Sequence, residues 1–114
     1  MKKHFLIPLT CVLFFFSCNN APEGYTKSTF KVWGNCGMCK ETIESSLKKD
    51  GISSAEWNKE TKIIDVTYDP KKYDLDSIQS CIAAAGYDTQ NKTGDSSAYT
   101  NLHSCCQYER KEGQ

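Results

Sequence analysis

Between residues 29 and 90 the apolar side chains switch between a two-residue and a four-residue repeat, and that alternation limits the fold to a few arrangements. Thr29-Phe30-Lys31-Val32-Trp33 is rich in β-branched and aromatic residues and reads as a strand, broken by Gly34 and Asn35. From Met38 the repeat becomes helical: Cys39, Ile43 and Leu47 recur every fourth residue, with Lys, Glu and Ser between them. Gly51, after Lys48-Lys49-Asp50, is a helix stop. Ile52 to Trp57 is a second strand, Asn58 to Thr61 a polar turn, and Lys62 to Tyr68 a third strand with Ile64, Val66 and Tyr68 on one face. Asp69-Pro70 ends it. Asp74 caps a second helix with Leu75, Ile78, Ile82 and Ala85 on one stripe, Gly86 closes that helix, and Tyr87 to Gln90 is a short fourth strand. The order β-α-β-β-α-β predicts an α+β, ferredoxin-like sandwich, with a four-stranded antiparallel sheet and two helices on one face.

The first residues belong to a different physical class. Lys2 and Lys3 precede an apolar run from Phe5 to Phe16, about a dozen residues long, which suits a signal-peptide core and is short for a bilayer span. The run ends in Phe15-Phe16-Ser17-Cys18, which resembles a bacterial lipobox with Phe15 where Leu is usual. The expectation is a signal peptide over 1–17, lipidation at Cys18, and a polar tether over 18–27. The alternatives are an ordinary cleaved signal or an uncleaved apolar N-terminus. The chain carries 14 basic and 14 acidic residues, and removing Lys2 and Lys3 leaves the remainder slightly acidic. A domain of that charge offers no electrostatic footing for nucleic acid. It is expected to be exported and membrane-anchored, facing the periplasm or an outer surface, and to act as a monomer.

Seven cysteines are many for 114 residues. With Cys11 in the leader and Cys18 lipidated, Cys36, Cys39, Cys81, Cys105 and Cys106 remain. Four of these form two close pairs, which suits chelation or redox chemistry better than stapling distant segments. Gly34-Asn35-Cys36-Gly37-Met38-Cys39 places two thiols where a strand gives way to a helix N-terminus. Free amide groups and the helix dipole there favour thiolate. Two soft sulfur ligands with no neighbouring carboxylate or imidazole select Cu(I), or toxic relatives such as Hg(II), over hard ions. An inert disulfide and a thiol-disulfide exchange protein are the competing readings. Against exchange chemistry of the thioredoxin kind stand the element order and the lack of a suitably placed proline. No His-carboxylate dyad beside a reactive Ser or Cys and no phosphate loop is evident, so the chain is not expected to be an enzyme.

Residues 28–90 resemble the heavy-metal-associated domain of copper chaperones, copper-ATPase N-terminal modules and periplasmic mercury-binding proteins. The features that carry the resemblance are Cys36-x-x-Cys39, Ile43, Leu47, Gly51-Ile52, Val66-Thr67-Tyr68-Asp69-Pro70 and Ala85-Gly86-Tyr87. It implies metal held by Cys36 and Cys39 in an exposed first loop, with the loop containing Tyr87 beside it. It also implies a metal-transporting ATPase or a cuproprotein as partner. One position departs from the family, which usually buries a Met beneath the loop two residues before the first cysteine. Here Gly34 stands there, leaving Met38 or Trp33 to fill the space.

Residues 91–114 lie beyond the usual domain. The stretch 91–97 is polar and reads as a linker; Ala98-Tyr99 and Leu102 hint at one or two helical turns leading to Cys105-Cys106. Leu102-His103-Ser104-Cys105-Cys106-Gln107-Tyr108 resembles the Leu-x-x-Cys-Cys-x-Tyr ending of some exported relatives. Roughly fifteen residues separate Gln90 from Cys105, enough at about 3.3 Å each to return to the metal loop. Cys105 or Cys106 is therefore a candidate third or fourth thiolate, which would favour storage over rapid transfer and admit tetrahedral Zn(II). A strained vicinal disulfide, or an idle pair, is the alternative. Cys81 reads as core, His103 as solvated, and Tyr87 as a shield rather than a ligand.

Overall fold

The computed structural model describes residues 21–112, so the leader and the expected lipidation site Cys18 lie outside the described residues. Three antiparallel strands, β1 (Thr26–Lys31), β2 (Ile52–Trp57) and β3 (Ile63–Tyr68), form a sheet in the order β1-β3-β2. Their register stacks the inward residues in rows: Phe30 opposite Ile64 opposite Trp57, and Ser28 opposite Val66 opposite Ala55. The period-two pattern of β3 thus becomes the floor of the core, with Ile64, Val66 and Tyr68 buried. Two helices, α1 (Gly37–Ser45) and α2 (Leu75–Ala84), bring Cys39, Ile43, Ile78 and Ile82 into the same cluster, joined by Leu47 from the turns after α1. Asp74 caps α2 as expected: its side chain accepts from the Ser77 N–H while the Ser77 hydroxyl accepts from the Asp74 N–H.

Helix α1 ends sooner than its apolar repeat, at Ser45, and Leu47 is buried from the turns that follow. Gly51 works in the turn into β2, at φ +92°, where a side chain would meet Lys72 and Tyr73. The first strand also sits earlier than expected. It ends at Lys31, and Val32 makes only an isolated bridge to Thr89.

That bridge is what remains of the expected fourth strand over Tyr87–Gln90. Trp33 N–H donates to the Asp88 carbonyl and Gln90 N–H to the Lys31 carbonyl, each at 2.9 Å, so the segment does lie along β1. It goes no further because the chain turns back on itself. Thr89 N–H donates to the Lys92 carbonyl, and the buried Gln79 side chain accepts from both the Thr89 hydroxyl and the Asn91 N–H. A backbone donor committed to a turn is lost to a ladder.

The polar stretch read as a linker is packed into the domain. Asp95 N–H donates to the Ala83 carbonyl at 2.8 Å, and the Asp95 side chain caps a third short helix, α3 (Ser96–Thr100). Gly86, at φ +100°, lies so close to α3 that a Cβ there would fall 2.7 Å from the Tyr99 nitrogen. A 3₁₀ turn (Ser104–Cys106) follows, and the chain then runs back under the Tyr87 loop. Tyr108 is buried and stacks on Tyr87 at 5.4 Å, while Tyr99 meets the Tyr108 ring edge-on at 5.1 Å. The Tyr108 hydroxyl donates to the Gly86 carbonyl and accepts from the Asp88 N–H.

Asp88 completes the closure. Its carboxylate is fully buried and accepts from Arg110 Nε at 3.1 Å and Nη2 at 2.7 Å, from the Gly94 N–H at 2.7 Å and from the Lys111 N–H at 3.2 Å. Burial pulls its pKa upward, but Arg110 and the two backbone donors outweigh it and hold the carboxyl below its ordinary range. Arg110→Ala would leave a buried carboxylate with backbone donors alone. Chemical denaturation should then read a loss of about 2–4 kcal/mol; a loss under about 0.5 kcal/mol, the size of a surface substitution, would show the pair to be inconsequential. Because the folded pKa of Asp88 is lowered, its contribution is present at neutral pH and lost on acidification. The stability gap between wild type and Asp88→Asn should therefore narrow below about pH 4.

Candidate metal centre

The first loop rests on a tryptophan the sequence reading did not place there. The Trp57 indole lies against Gly34 so closely that a Cβ at residue 34 would sit 2.9 Å from its ring, and its Nε1–H donates to the Val32 carbonyl at 3.0 Å. Trp57 thus fills the space expected of Met38 or Trp33. Met38 is 43% exposed instead, and Trp33 is half-buried beneath the Lys31 ammonium. The large ring reaches that place because its backbone is clasped from above. Glu44 accepts from the Trp57 N–H, Lys40 donates to the Trp57 carbonyl, and the two side chains pair with each other. A side chain at position 34 would collide with this base, so glycine is the residue that fits.

Cys36 is the N-cap residue of α1, in extended conformation and with no side-chain capping hydrogen bond. Ser or Asp there would satisfy the free N–H groups and stabilise the helix by about 1 kcal/mol more. The thiol at this position leaves those donors to a sulfur anion. Burial opposes ionisation, but the Cys39 N–H and the surrounding thiols outweigh it and lower the Cys36 pKa to about 7. Cys39, one helical turn on, is fully buried and donates to the Asn35 side-chain oxygen at 3.2 Å.

The tail delivers the second cysteine pair to the same place. Cys106 Sγ lies 3.4 Å from Cys36 Sγ, which is itself 3.4 Å from Cys39 Sγ. All three sulfurs fall within 4.8 Å of one another. Cys106 is buried and its pKa is raised, first by that burial and then by hydrogen bonding with Cys36 and Cys39. Cys105 is exposed, with its sulfur 3.8 Å from those of both Cys36 and Cys106, so the adjacent pair is present as two thiols. Of the four predicted ligands, then, three form a compact group and Cys105 sits at its outer edge. His103 is exposed and is not one of the grouped residues. Cys81 is half-buried against the core, away from the thiol group.

Tyr87 lies fully buried beside these sulfurs, with a hydroxyl that has no hydrogen-bond partner among the described residues. Burial first, then the nearby Cys39 and Cys106 sulfurs, push its pKa far above the ordinary phenol range. It stays protonated. The sequence reading missed Trp57, Asp88 and Arg110. The one signal for the last was composition: Arg110 is the only arginine in a chain of thirteen lysines, and a guanidinium alone offers the planar fork a buried carboxylate needs.

Comparison with known proteins agrees with this geometry. Residues 29–88 match the model of the heavy-metal-associated domain. The copper chaperone CopZ of Staphylococcus aureus (strain bovine RF122 / ET3-1) is 40% identical over 55 residues, covering 47% of this chain and 81% of that protein. Among solved structures, a CopZ metallochaperone aligns with a TM-score of 0.54 at 35% identity, over 56% of this chain and 98% of the other. A putative copper-ion-binding protein from Bacillus anthracis str. Ames aligns with a TM-score of 0.56 at 31% identity, over 60% and 100%. Oxidized MerP from Ralstonia metallidurans CH34 aligns with a TM-score of 0.54 at 28% identity, over 58% and 94%. With its sandwich fold, its cysteine loop and this match over more than half its length, the chain belongs to the heavy-metal-associated domain family.

Proposed function

We propose that this protein captures Cu(I) through the thiolates of Cys36, Cys39 and Cys106 and holds it more firmly than a two-cysteine loop would. The observation that carries this reading is the 3.4 Å approach of Cys106 to Cys36, which turns a pair into a triad. Three soft donors and no hard one favour a monovalent, polarisable ion. Two of the three, Cys39 and Cys106, are buried, so release requires movement of the tail or attack at the half-exposed Cys36. Transfer then proceeds by ligand exchange: an incoming thiolate binds the metal from the solvent side, Cys36 leaves, and no electrons move. The receiving partner is a metal-transporting ATPase or a cuproprotein. Among the described residues no helix is long and apolar enough to cross a membrane. The reading of an exported protein held at the membrane by lipid on Cys18 accordingly rests on the leader sequence.

Hg(II) is the second reading. It is supported by the likeness to MerP and by the same sulfur chemistry, since three thiolates suit either ion.

Under anaerobic competition with a chromophoric Cu(I) chelator, Cys36→Ser/Cys39→Ser should lose high-affinity binding. Cys106→Ser should weaken it by about ten- to a hundredfold, roughly 1.4–2.8 kcal/mol. Equal affinity in Cys106→Ser and wild type would reduce the tail to a structural role. The same titrations with Hg(II) under competing thiol decide between the two ions. In the metal-free reduced protein, the lowered pKa of Cys36 predicts that its alkylation by iodoacetamide rises with pH through a midpoint near 7. A midpoint in the ordinary range, about 8.5, measured by peptide mass spectrometry would contradict the stabilised thiolate.

A further inference from the structure

Two sulfur atoms lie outside the triad and are close to each other. Cys105 Sγ is 3.4 Å from Met38 Sδ and 3.8 Å from Cys36 Sγ. Both residues are exposed, Met38 on the first turn of α1 and Cys105 in the 3₁₀ turn that the tail lays across it. Met38 is not used by the core: Trp57 fills the space beneath the loop. What the position does provide is a neutral, polarisable thioether against a thiol, on the solvent side of Cys36. Thioether and thiolate together select Cu(I) among the ions a protein meets, and they suit it better than Zn(II).

The five sulfurs therefore divide into two overlapping sets that share one atom. The inner set is Cys36, Cys39 and Cys106; the outer set is Cys36, Cys105 and Met38. We infer that the outer set is a second Cu(I) position, in which Met38 Sδ and Cys105 Sγ bind the ion and Cys36 Sγ bridges it to the ion within. This rests on the inner triad binding Cu(I). A thiolate has lone pairs enough to bridge two metals, and the second Cu(I) displaces the Cys105 thiol proton to solvent, one positive charge for another, so the net charge of the site is unchanged. No oxidation state changes. The outer position is the exposed one, so metal enters and leaves there, stepping inward by exchange about Cys36 without passing through bulk water.

The test is anaerobic titration of the reduced protein, residues 21–114, with Cu(I) supplied as its acetonitrile complex against a chromophoric chelator. It is run on wild type, Met38→Leu, Cys105→Ser and Cys36→Ser/Cys39→Ser, with oligomeric state followed by size-exclusion chromatography. Leucine preserves the volume of Met38 and removes only the sulfur, and both outer residues are exposed, so thermal melting of the metal-free variants should match wild type. Wild type should bind two equivalents as a monomer. Met38→Leu and Cys105→Ser should each bind one, with the affinity of that first equivalent changed by less than about threefold. X-ray absorption should show a short Cu–Cu path in wild type at two equivalents and none at one. Wild type binding a single equivalent, variants that keep both, or a second equivalent taken up only by dimers would each overturn the outer site. If the first equivalent survives in Cys36→Ser/Cys39→Ser, the inner reading fails instead, so the two failures are told apart.

Discussion

The thiol cluster depends on a carboxylate that never touches it. Asp88 is fully buried, and a buried charge is tolerated only when every lone pair finds a donor. Here the donors come from the last residues of the described chain and from the turn at Gly94. Supplying them draws Arg110 and Lys111 against the domain, which seats Tyr108 under Tyr87 and so fixes the 3₁₀ turn that carries Cys106. The interaction is electrostatic at one end and aromatic at the other. Its product is the position of a sulfur atom two residues before Tyr108 in sequence.

A second support acts from the opposite side. Trp57 lies at the end of β2, held by both of its backbone groups to Lys40 and Glu44 of α1, and its ring forms the floor under Gly34. The helix that presents Cys36 and Cys39 therefore also grips the residue on which the cysteine loop rests. Loop and floor move together or not at all, which holds the half-buried Cys36 of the loop and the buried Cys39 of α1 at 3.4 Å, where an exposed pair was expected.

Much of this was legible in the sequence because it is local. The four-residue repeat of Cys39 and Ile43, the alternation in β3 and the Asp74 cap each lie within one element, where period and propensity decide. Cys36 and Cys39 were readable for the same reason. What the sequence did not disclose involves partners far apart along the chain. Gly34 stands where the family places a methionine, and the residue that fills the space, Trp57, lies 23 positions away at the end of β2. Tyr87 to Gln90 had the composition of a strand, but Gln79, from the middle of α2, holds Thr89 and Asn91 in a turn. The polar character of residues 91–97 reads as a linker, whereas their polar atoms cap α3 and satisfy Asp88. Polarity by itself does not distinguish a solvated segment from one whose hydrogen bonds are made inside the protein.

The separation of Cys36 from Cys106 has a consequence for the chain as a whole. Their sulfurs touch although the two residues are 70 positions apart. An ion gripped by both would act as a cross-link closing nearly the entire domain into a ring, and in the loop-entropy picture a ring of that size is worth on the order of 4 kcal/mol against unfolding. Cargo and architecture would then be thermodynamically linked, each guarding the other. A cut ahead of Arg110 would remove the lock on the ring. A damaged molecule would surrender its ion while an intact one kept it.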